Sequence, residues 1–425
     1  MNARAGCSGR DRSCIDEQKD PRILRRHRKR RRLAADESRT NVYKLYRATR
    51  TGPESVIDPR EQLAFYVPGV GTSAPGHVSR FHGAKETFQQ AVGQGLKNRI
   101  RAAYKAIIGS WRPGDTIYLF GFSRGAYTAR CVAHVLEVFG IPAKEPGSSE
   151  LSLDPKRLEI VAKRAVDAMY RFGFLIADSP RRQRDVAAFA RAYEPHMGAD
   201  LGVVPYFLGL WDSVAAYGFG QLVPERYDRH LPSGIAYVRH ALSIDENRRD
   251  FARVIFGGSH TVRQRQPGEP DPFEQVWFAG NHSDIGGSYP ENESRLSDIT
   301  LKWMLDFITL ALPSGRQIAY NPGMLCLFPS ADGMMHDECQ SSRVRFVKAS
   351  RMVAAEATLH PTVIERMGFP HVREYSGYRP YRPEPLRDHP LTAAFFTGPP
   401  PAPRSTVWQR IAGFFRRVRA GLKAQ

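Results

Sequence analysis

Gly121-Phe122-Ser123-Arg124-Gly125 holds the residue around which the chemistry of this chain is organised. The serine follows the apolar run Thr116-Ile117-Tyr118-Leu119-Phe120 and precedes the helix-like Ala126-Tyr127-Thr128-Ala129-Arg130-Cys131-Val132-Ala133. Strand, sharp turn and helix form the context in which G-x-S-x-G works as a nucleophile elbow. Such a turn strains the serine backbone, and side chains at Gly121 and Gly125 are expected to collide with the neighbouring strand and helix. A serine hydroxyl is a weak nucleophile at its own pKa and needs an adjacent base. Histidine suits that role, with an unperturbed pKa of about 6.5. The base in turn needs an acid that fixes its tautomer and stabilises the imidazolium. The backbone N–H of Arg124 is expected to point at the developing oxyanion.

The acid and the base are sought where strands end. Tyr206-Phe207-Leu208-Gly209-Leu210-Trp211 runs into Asp212, and Gln275-Val276-Trp277-Phe278-Ala279 runs into Gly280-Asn281-His282. Ser123, Asp212 and His282 each sit just past the carboxyl end of a predicted strand. Ligand sites of parallel sheets lie at those ends. The chain order Ser, Asp, His is that of the α/β-hydrolases. His134 lies within the elbow helix, His240 within Tyr237–Ser243 reads as a buried structural histidine, and His260 lies in a polar loop. His282 sits in the small polar stretch Gly280–Gly287, a loop from which the imidazole could swing over the serine. Asp284 reads as a loop-capping carboxylate, or else as a second acid or a metal ligand. Asp245 is a weaker rival to Asp212, because no clean strand ends at it. Gly71 and Thr72, in Pro68-Gly69-Val70-Gly71-Thr72, are candidates for a second oxyanion donor, since backbone can approach a ligand closely there. This chemistry needs no cofactor.

The surrounding elements must position these groups. Residues 1–40 carry Arg25-Arg26-His27-Arg28-Lys29-Arg30-Arg31-Arg32, a self-repelling run that reads as disordered. It is a solvated tail, sequence upstream of the true start, or an arm for nucleic acid or membrane. Globular patterning begins at residue 41, with Val42, Leu45 and Tyr46 at helical spacing. Leu63-Ala64-Phe65-Tyr66-Val67 is expected to be a strand buried on both faces. Phe88, Val92, Leu96, Ile100, Ala103 and Ile107 mark an amphipathic helix over 84–110, broken by Pro113-Gly114-Asp115. Residues 145–200 read as a helical insertion, either a lid or extra packing layers. Ser297 is expected to cap a helix over 299–310, which Pro313 and Gly315 end. Residues 316–395 look less regular. Residues 396–425 form a Pro-rich break and then a basic amphipathic helix bearing Trp408, Ile411, Phe415, Val418 and Leu422. Such a helix lies in a membrane interface or docks on protein. Strands alternating with helices predict an α/β fold over 41–395, a mainly parallel sheet with helices on both faces.

The net charge of +19 favours acidic partners, of which an anionic lipid surface is one. Five scattered cysteines argue against a disulfide framework and show no metal-ligand spacing. No apolar run approaches the ~20 residues of a membrane span. No secretory signal pattern opens the chain, so the expectation is cytoplasmic synthesis in a reducing compartment.

Gly-Phe-Ser-Arg-Gly-Ala-Tyr-Thr-Ala-Arg at 121–130, Trp211-Asp212-Ser213-Val214 and Val276–Gly287 resemble signature blocks of one family. It is the α/β-hydrolase domain family of unknown function that includes the type VI secretion phospholipase effectors. Supporting matches are Asn41-Val42-Tyr43-Lys44-Leu45-Tyr46, Tyr66–Thr72, Arg239-His240-Ala241-Leu242, Leu296-Ser297-Asp298-Ile299 and His360-Pro361-Thr362-Val363. The resemblance implies a Ser123–Asp212–His282 esterase acting on phospholipid. It also implies a lipid or membrane surface as partner, with no specific nucleic acid, and export through secretion machinery with an immunity protein as a further partner. Members usually open with an apolar strand ending in an Asp-Gly-Thr turn. Here that place holds Arg28–Ala35, so the first strand is expected to be missing. Two other readings remain beside the lipase: an impaired hydrolase fold that binds membrane or nucleic acid, and an esterase of small soluble esters.

Overall fold

The computed structural model describes residues 39–69, 84–172, 180–214, 231–232, 234–249, 251, 256, 265, 267–341 and 346–396. The basic run at 25–32, Arg28–Ala35, Gly71, Thr72, His260 and the 405–422 segment lie outside the described residues.

Among the described residues a parallel sheet of five strands forms in sequential order. Its strands are β1 (Tyr118–Phe122), β2 (Phe207–Trp211), β3 (Tyr237–Ser243), β4 (Phe273–Phe278) and the short β5 (Thr358–Leu359). Parallel pairing needs crossovers, and helices supply them. Helices α1 (Asn41–Thr49), α2 (Ala84–Ser110) and α3 (Arg124–Phe139) surround the first strand in sequence. Then come α4 (Pro155–Phe172), α5 (Pro180–Tyr193), the one-turn α6 (His282–Gly286), α7 (Arg295–Asp306) and α8 (Pro361–Gly368).

The two-residue period of β2 sorts the core. Phe207 and Trp211 face a cluster with Leu301, Met304 and Leu305 of α7. Leu208 and Leu210 face Ala126, Ala129 and Ala133 of α3. All five β2 residues are buried, as a central parallel strand requires. Helices therefore cover both faces, and the architecture is that of an α/β-hydrolase-like sheet. Leu158, Val161, Ala165 and Met169 of α4 and Phe189 and Tyr193 of α5 join Leu96, Ile100 and Tyr104 of α2 in one buried cluster. The two helices of the 145–200 segment thus pack on α2 and α3.

Three expectations fail. Leu63–Val67 is not a strand: it runs as irregular backbone with Leu63 and Phe65 more than half exposed. Its fixed points are side chains instead. Tyr66 packs on the rings of Tyr43 and Tyr46, and Gln62 Nε2 donates to Thr49 O at 2.8 Å. An apolar run predicts burial only where a neighbouring strand takes its backbone, and none of the described strands does. Ser297 does not cap α7: Ser294 is the N-cap residue, and the Ser297 hydroxyl donates back to Ser294 O from inside the helix. A clean strand does lead to Asp245, since β3 ends two residues before it. Arg239 and His240 hid that strand by interrupting its apolar pattern. Both are buried with partners, Arg239 against the Phe307 ring and Glu274, His240 against Gln275 and Ser213.

Candidate active site

Strand register brings the candidate groups to one end of the sheet. Phe122 pairs with Trp211 and Trp211 with Ala241, so Ser123 and Asp212 follow adjacent strand ends. The Ser123 N–H donates to Trp211 O at 3.0 Å, which locks the turn to the neighbouring strand. Ser123 has φ 59° and ψ −126°, a conformation that costs a non-glycine residue of order 1–3 kcal/mol. Asp212 also has a positive φ, 37°. Both strained residues stand at the sheet end where the chemistry was expected.

Gly121 makes the elbow sterically feasible. A Cβ there would lie 2.4 Å from Gly125 O and 2.5 Å from Ala126 Cα, so α3 turns directly over it. The expected collision at Gly125 is not found. Beyond its chain neighbours and the backbone of its own helix, a Cβ on Gly125 meets no atom of the described residues within 4 Å.

His282 does not sit in a free loop. It opens α6, whose N-cap Asn281 accepts from the N–H groups of Ser283 and Asp284. The Asp284 carboxylate accepts from Asn281 N–H at 3.0 Å, completing a capping box. Asp284 also takes the N–H of His336 at 3.0 Å and meets His336 Nδ1 at 2.8 Å. Capping is the role the geometry gives it. His336 lies between Asp284 and Glu293, stacked on Tyr289. Burial pushes its pKa down, but the two carboxylates outweigh this and raise it. Among the described residues no group of three or more His, Cys, Asp or Glu side chains is placed to hold a metal ion.

The His282 imidazole presents Nδ1 to Asp212 Oδ2 at 2.6 Å, with both side chains buried. Its ring lies against Phe122 at 4.5 Å and meets the edge of Phe251 at 5.2 Å. Gly286 permits this closeness: a Cβ there would stand 2.0 Å from the Phe122 ring. The backbone N–H of His282 donates to Glu246 Oε2 at 3.3 Å, and Glu246 is itself paired with Arg248.

Asp212 is saturated with donors. Oδ1 accepts from Ser243 N–H at 3.1 Å and Arg351 Nη1 at 2.5 Å. Oδ2 accepts from His282 Nδ1 and from Arg351 Nη2 at 2.9 Å. Burial alone would raise the Asp212 pKa. The Arg351 guanidinium and His282 outweigh it and hold the carboxyl well below the usual range.

The other candidates are placed as follows. Arg124 is the first residue of α3, so its N–H belongs to the helix N-terminus directly after Ser123. Asp245 accepts from Gly280 N–H and from Tyr381 Oη, both at 2.7 Å, and so holds the turn before His282 rather than His282 itself. Its pKa is pushed up to about 6 by burial. His240 is buried and its pKa falls to about 3 through burial and the nearby Arg130. The sequence reading missed Arg351 and Glu246. Arg351 follows no strand and belongs to no quoted block, and Glu246 follows β3, whose apolar pattern Arg239 and His240 interrupt, so no local signal marks either.

A sequence model of the family described as "T6SS, Phospholipase effector Tle1-like, catalytic domain" matches residues 27–307, more than half of the chain. The uncharacterized protein YEL023C of Saccharomyces cerevisiae is 27% identical over 294 residues, covering 67% of this chain and 38% of the yeast protein. The chain therefore spans well under half of that relative. Among solved structures, the Tle1 effector bound to the VgrG spike of the type 6 secretion system matches with 19% identity and a TM-score of 0.30, over 65% of this chain and 44% of that one. An uncharacterized protein from Pseudomonas aeruginosa matches with 20% identity and a TM-score of 0.24, over 52% and 27%. By the extent of the family match, this chain belongs to the T6SS phospholipase effector Tle1-like catalytic-domain family.

Proposed function

We propose that this chain is a serine hydrolase cleaving carboxylic ester bonds of phospholipids through Ser123, His282 and Asp212. One observation carries the reading: a buried Asp212–His282 pair at 2.6 Å shares a sheet end with a serine at φ 59°. The Ser123 hydroxyl attacks the acyl carbon as His282 Nε2 takes its proton. Asp212 keeps Nδ1 protonated and stabilises the imidazolium. The Arg124 N–H and a second donor from the Gly71–Thr72 loop hold the oxyanion. His282 returns the proton to the leaving alcohol. Water then attacks the Ser123 ester, giving up a proton through His282 and releasing the fatty acid.

The family description supports phospholipid as the ester. The proposed organisation is a basic segment over 1–40, a catalytic domain over 41–395 and a Pro-rich linker with a basic amphipathic helix over 396–425. The basic segments suit an anionic lipid surface as partner. Type VI export after cytoplasmic synthesis, with a cognate immunity protein, is the biological setting that goes with the family.

The test is fatty-acid release from anionic liposomes by purified protein beside Ser123→Ala. The expected result is release that falls by at least about a thousandfold in the variant. A preference for long-chain over short soluble esters is expected as well. A folded protein that releases nothing from liposomes or short esters would overturn the proposal.

A further inference from the structure

Arg351 lies 44 residues beyond the family match, which ends at residue 307. It stands in irregular backbone, yet its side chain is buried at the sheet end. Its four Nη hydrogens have four acceptors. Nη1 donates to Asp212 Oδ1 and to Ser243 O at 3.1 Å. Nη2 donates to Asp212 Oδ2 and to Phe251 O at 3.1 Å. A planar fork that grips both carboxylate oxygens fixes the carboxylate plane, which a point charge does not. The backbone that delivers it is anchored on both sides of Arg248. Arg249 N–H donates to Val347 O, and Ala349 N–H donates to Asn247 O.

Resting on the catalytic reading above, we propose that Arg351 is a positioning residue for the His282 base. It clamps the Asp212 carboxylate so that Oδ2 faces His282 Nδ1, and it puts a second positive charge beside that pair. The segment beyond the family match is thereby part of the catalytic machinery. The clamp has two effects of distinct origin. The fork sets geometry, which acts on kcat. The positive charge opposes formation of the imidazolium, an effect that a neutral side chain at 351 removes.

The other charged groups around the pair leave this balance to Arg351. Glu246 faces the His282 backbone N–H but is neutralised by a bidentate Arg248, which lies over the Phe251 ring. His240, on β3, accepts from Ser213 N–H on Nε2, and burial keeps it neutral with its pKa near 3. Asp284, on α6 itself, is engaged by His336.

Two variants separate geometry from charge. Arg351→Lys keeps the charge and loses the fork; Arg351→Met loses both. In Arg351→Lys, kcat is expected to fall at least about tenfold with the acid limb of kcat/KM close to wild type. In Arg351→Met the acid limb is expected to move up by about one pH unit, with a similar or larger fall in kcat. A structural role alone predicts lost protein yield with unchanged profiles in whatever folds. If Arg351→Met does not fold, Arg351→Lys decides: kcat within twofold of wild type overturns the clamp. NMR titration of the 15N-labelled His282 imidazole, assigned by its loss in His282→Ala, reads the same effect without turnover. A raised midpoint in Arg351→Met supports the clamp even if wild type cleaves no ester, in which case the hydrolase proposal alone falls. Equal midpoints overturn the clamp.

Discussion

At the level of single residues, the proposed site would couple stability to chemistry through Asp212. Its carboxylate has four donors, two of them from a buried guanidinium. Asp212→Asn is expected to remove ester cleavage by about ten-thousandfold, because the amide no longer fixes the His282 tautomer. It is also expected to destabilise the fold by about 3–5 kcal/mol, since Arg351 is left buried without a counter-charge. Urea unfolding of the purified variant checks this, and a midpoint equal to wild type would show that the Arg351 pair contributes nothing. Asp245 runs in the opposite direction. Its folded pKa of about 6 lies above the ordinary aspartate value, so folding favours the protonated form. The stability it contributes is full below about pH 4 and is lost as pH rises through 6. The loss is of order 2–3 kcal/mol, a tenfold change in acid strength being worth about 1.4 kcal/mol. Asp245→Asn keeps an acceptor for Gly280 N–H and Tyr381 Oη and does not ionise. Its unfolding free energy is expected to gain on wild type between pH 4 and 7. A difference that stays constant across that range would contradict the assignment.

At the level of elements, the elbow rests on one glycine rather than two. Gly121→Ala drives a Cβ into the backbone of Gly125 and Ala126, where nothing flexible yields. Gly125→Ala meets open space among the described residues and adds a helix former to α3. The expected result is loss of soluble, active protein for Gly121→Ala and near wild-type activity for Gly125→Ala, read by thermal melting and ester turnover. Equal damage from both would mean that the second glycine serves something beyond the turn. The same elements show how far a sequence reading reaches. Apolar runs around β1, β2 and β4 were legible because each ends at a residue that could do chemistry. β3 was hidden by Arg239 and His240, whose burial depends on Glu274, Phe307 and Gln275 far away in the chain. The Asn41–Tyr46 and Leu296–Ile299 blocks were recognisable but had no stated purpose. In the structure they form one network. Asn41 Nδ2 lies 3.0 Å from Ile285 O and Ser297 O, and Lys44 meets Glu291 and Asp298. That network holds α6, and with it His282, against α7. Arg351 was illegible because a clamp made by irregular backbone leaves no period to read.

At the level of the whole molecule, a charge of +19 must be reconciled with the proposed phospholipid substrate, which would be embedded in a surface. No helix among the described residues is long and apolar enough to cross a membrane. The proposed contact with lipid is assigned to surface charge and to the flanking segments. The two basic segments differ in kind. Arg25–Arg32 has charge without an apolar face, while 405–422 adds Trp408, Ile411, Phe415, Val418 and Leu422. A cation near an anionic membrane contributes about 1 kcal/mol, and this fades beyond a Debye length of about 8 Å at physiological salt. Burial of apolar side chains in the interface is not screened. Binding to phosphatidylglycerol vesicles is therefore expected to fall at least about tenfold between low salt and half-molar salt. Replacing the arginines of 25–32 by glutamine should weaken only the low-salt binding. Replacing Trp408 and Phe415 by serine should remove what persists at high salt. Sedimentation with vesicles measures each arm, with neutral phosphatidylcholine vesicles as the reference. If binding ignores both salt and lipid charge, these segments do not deliver the domain to its ester, and Ser123 must meet its substrate by another route.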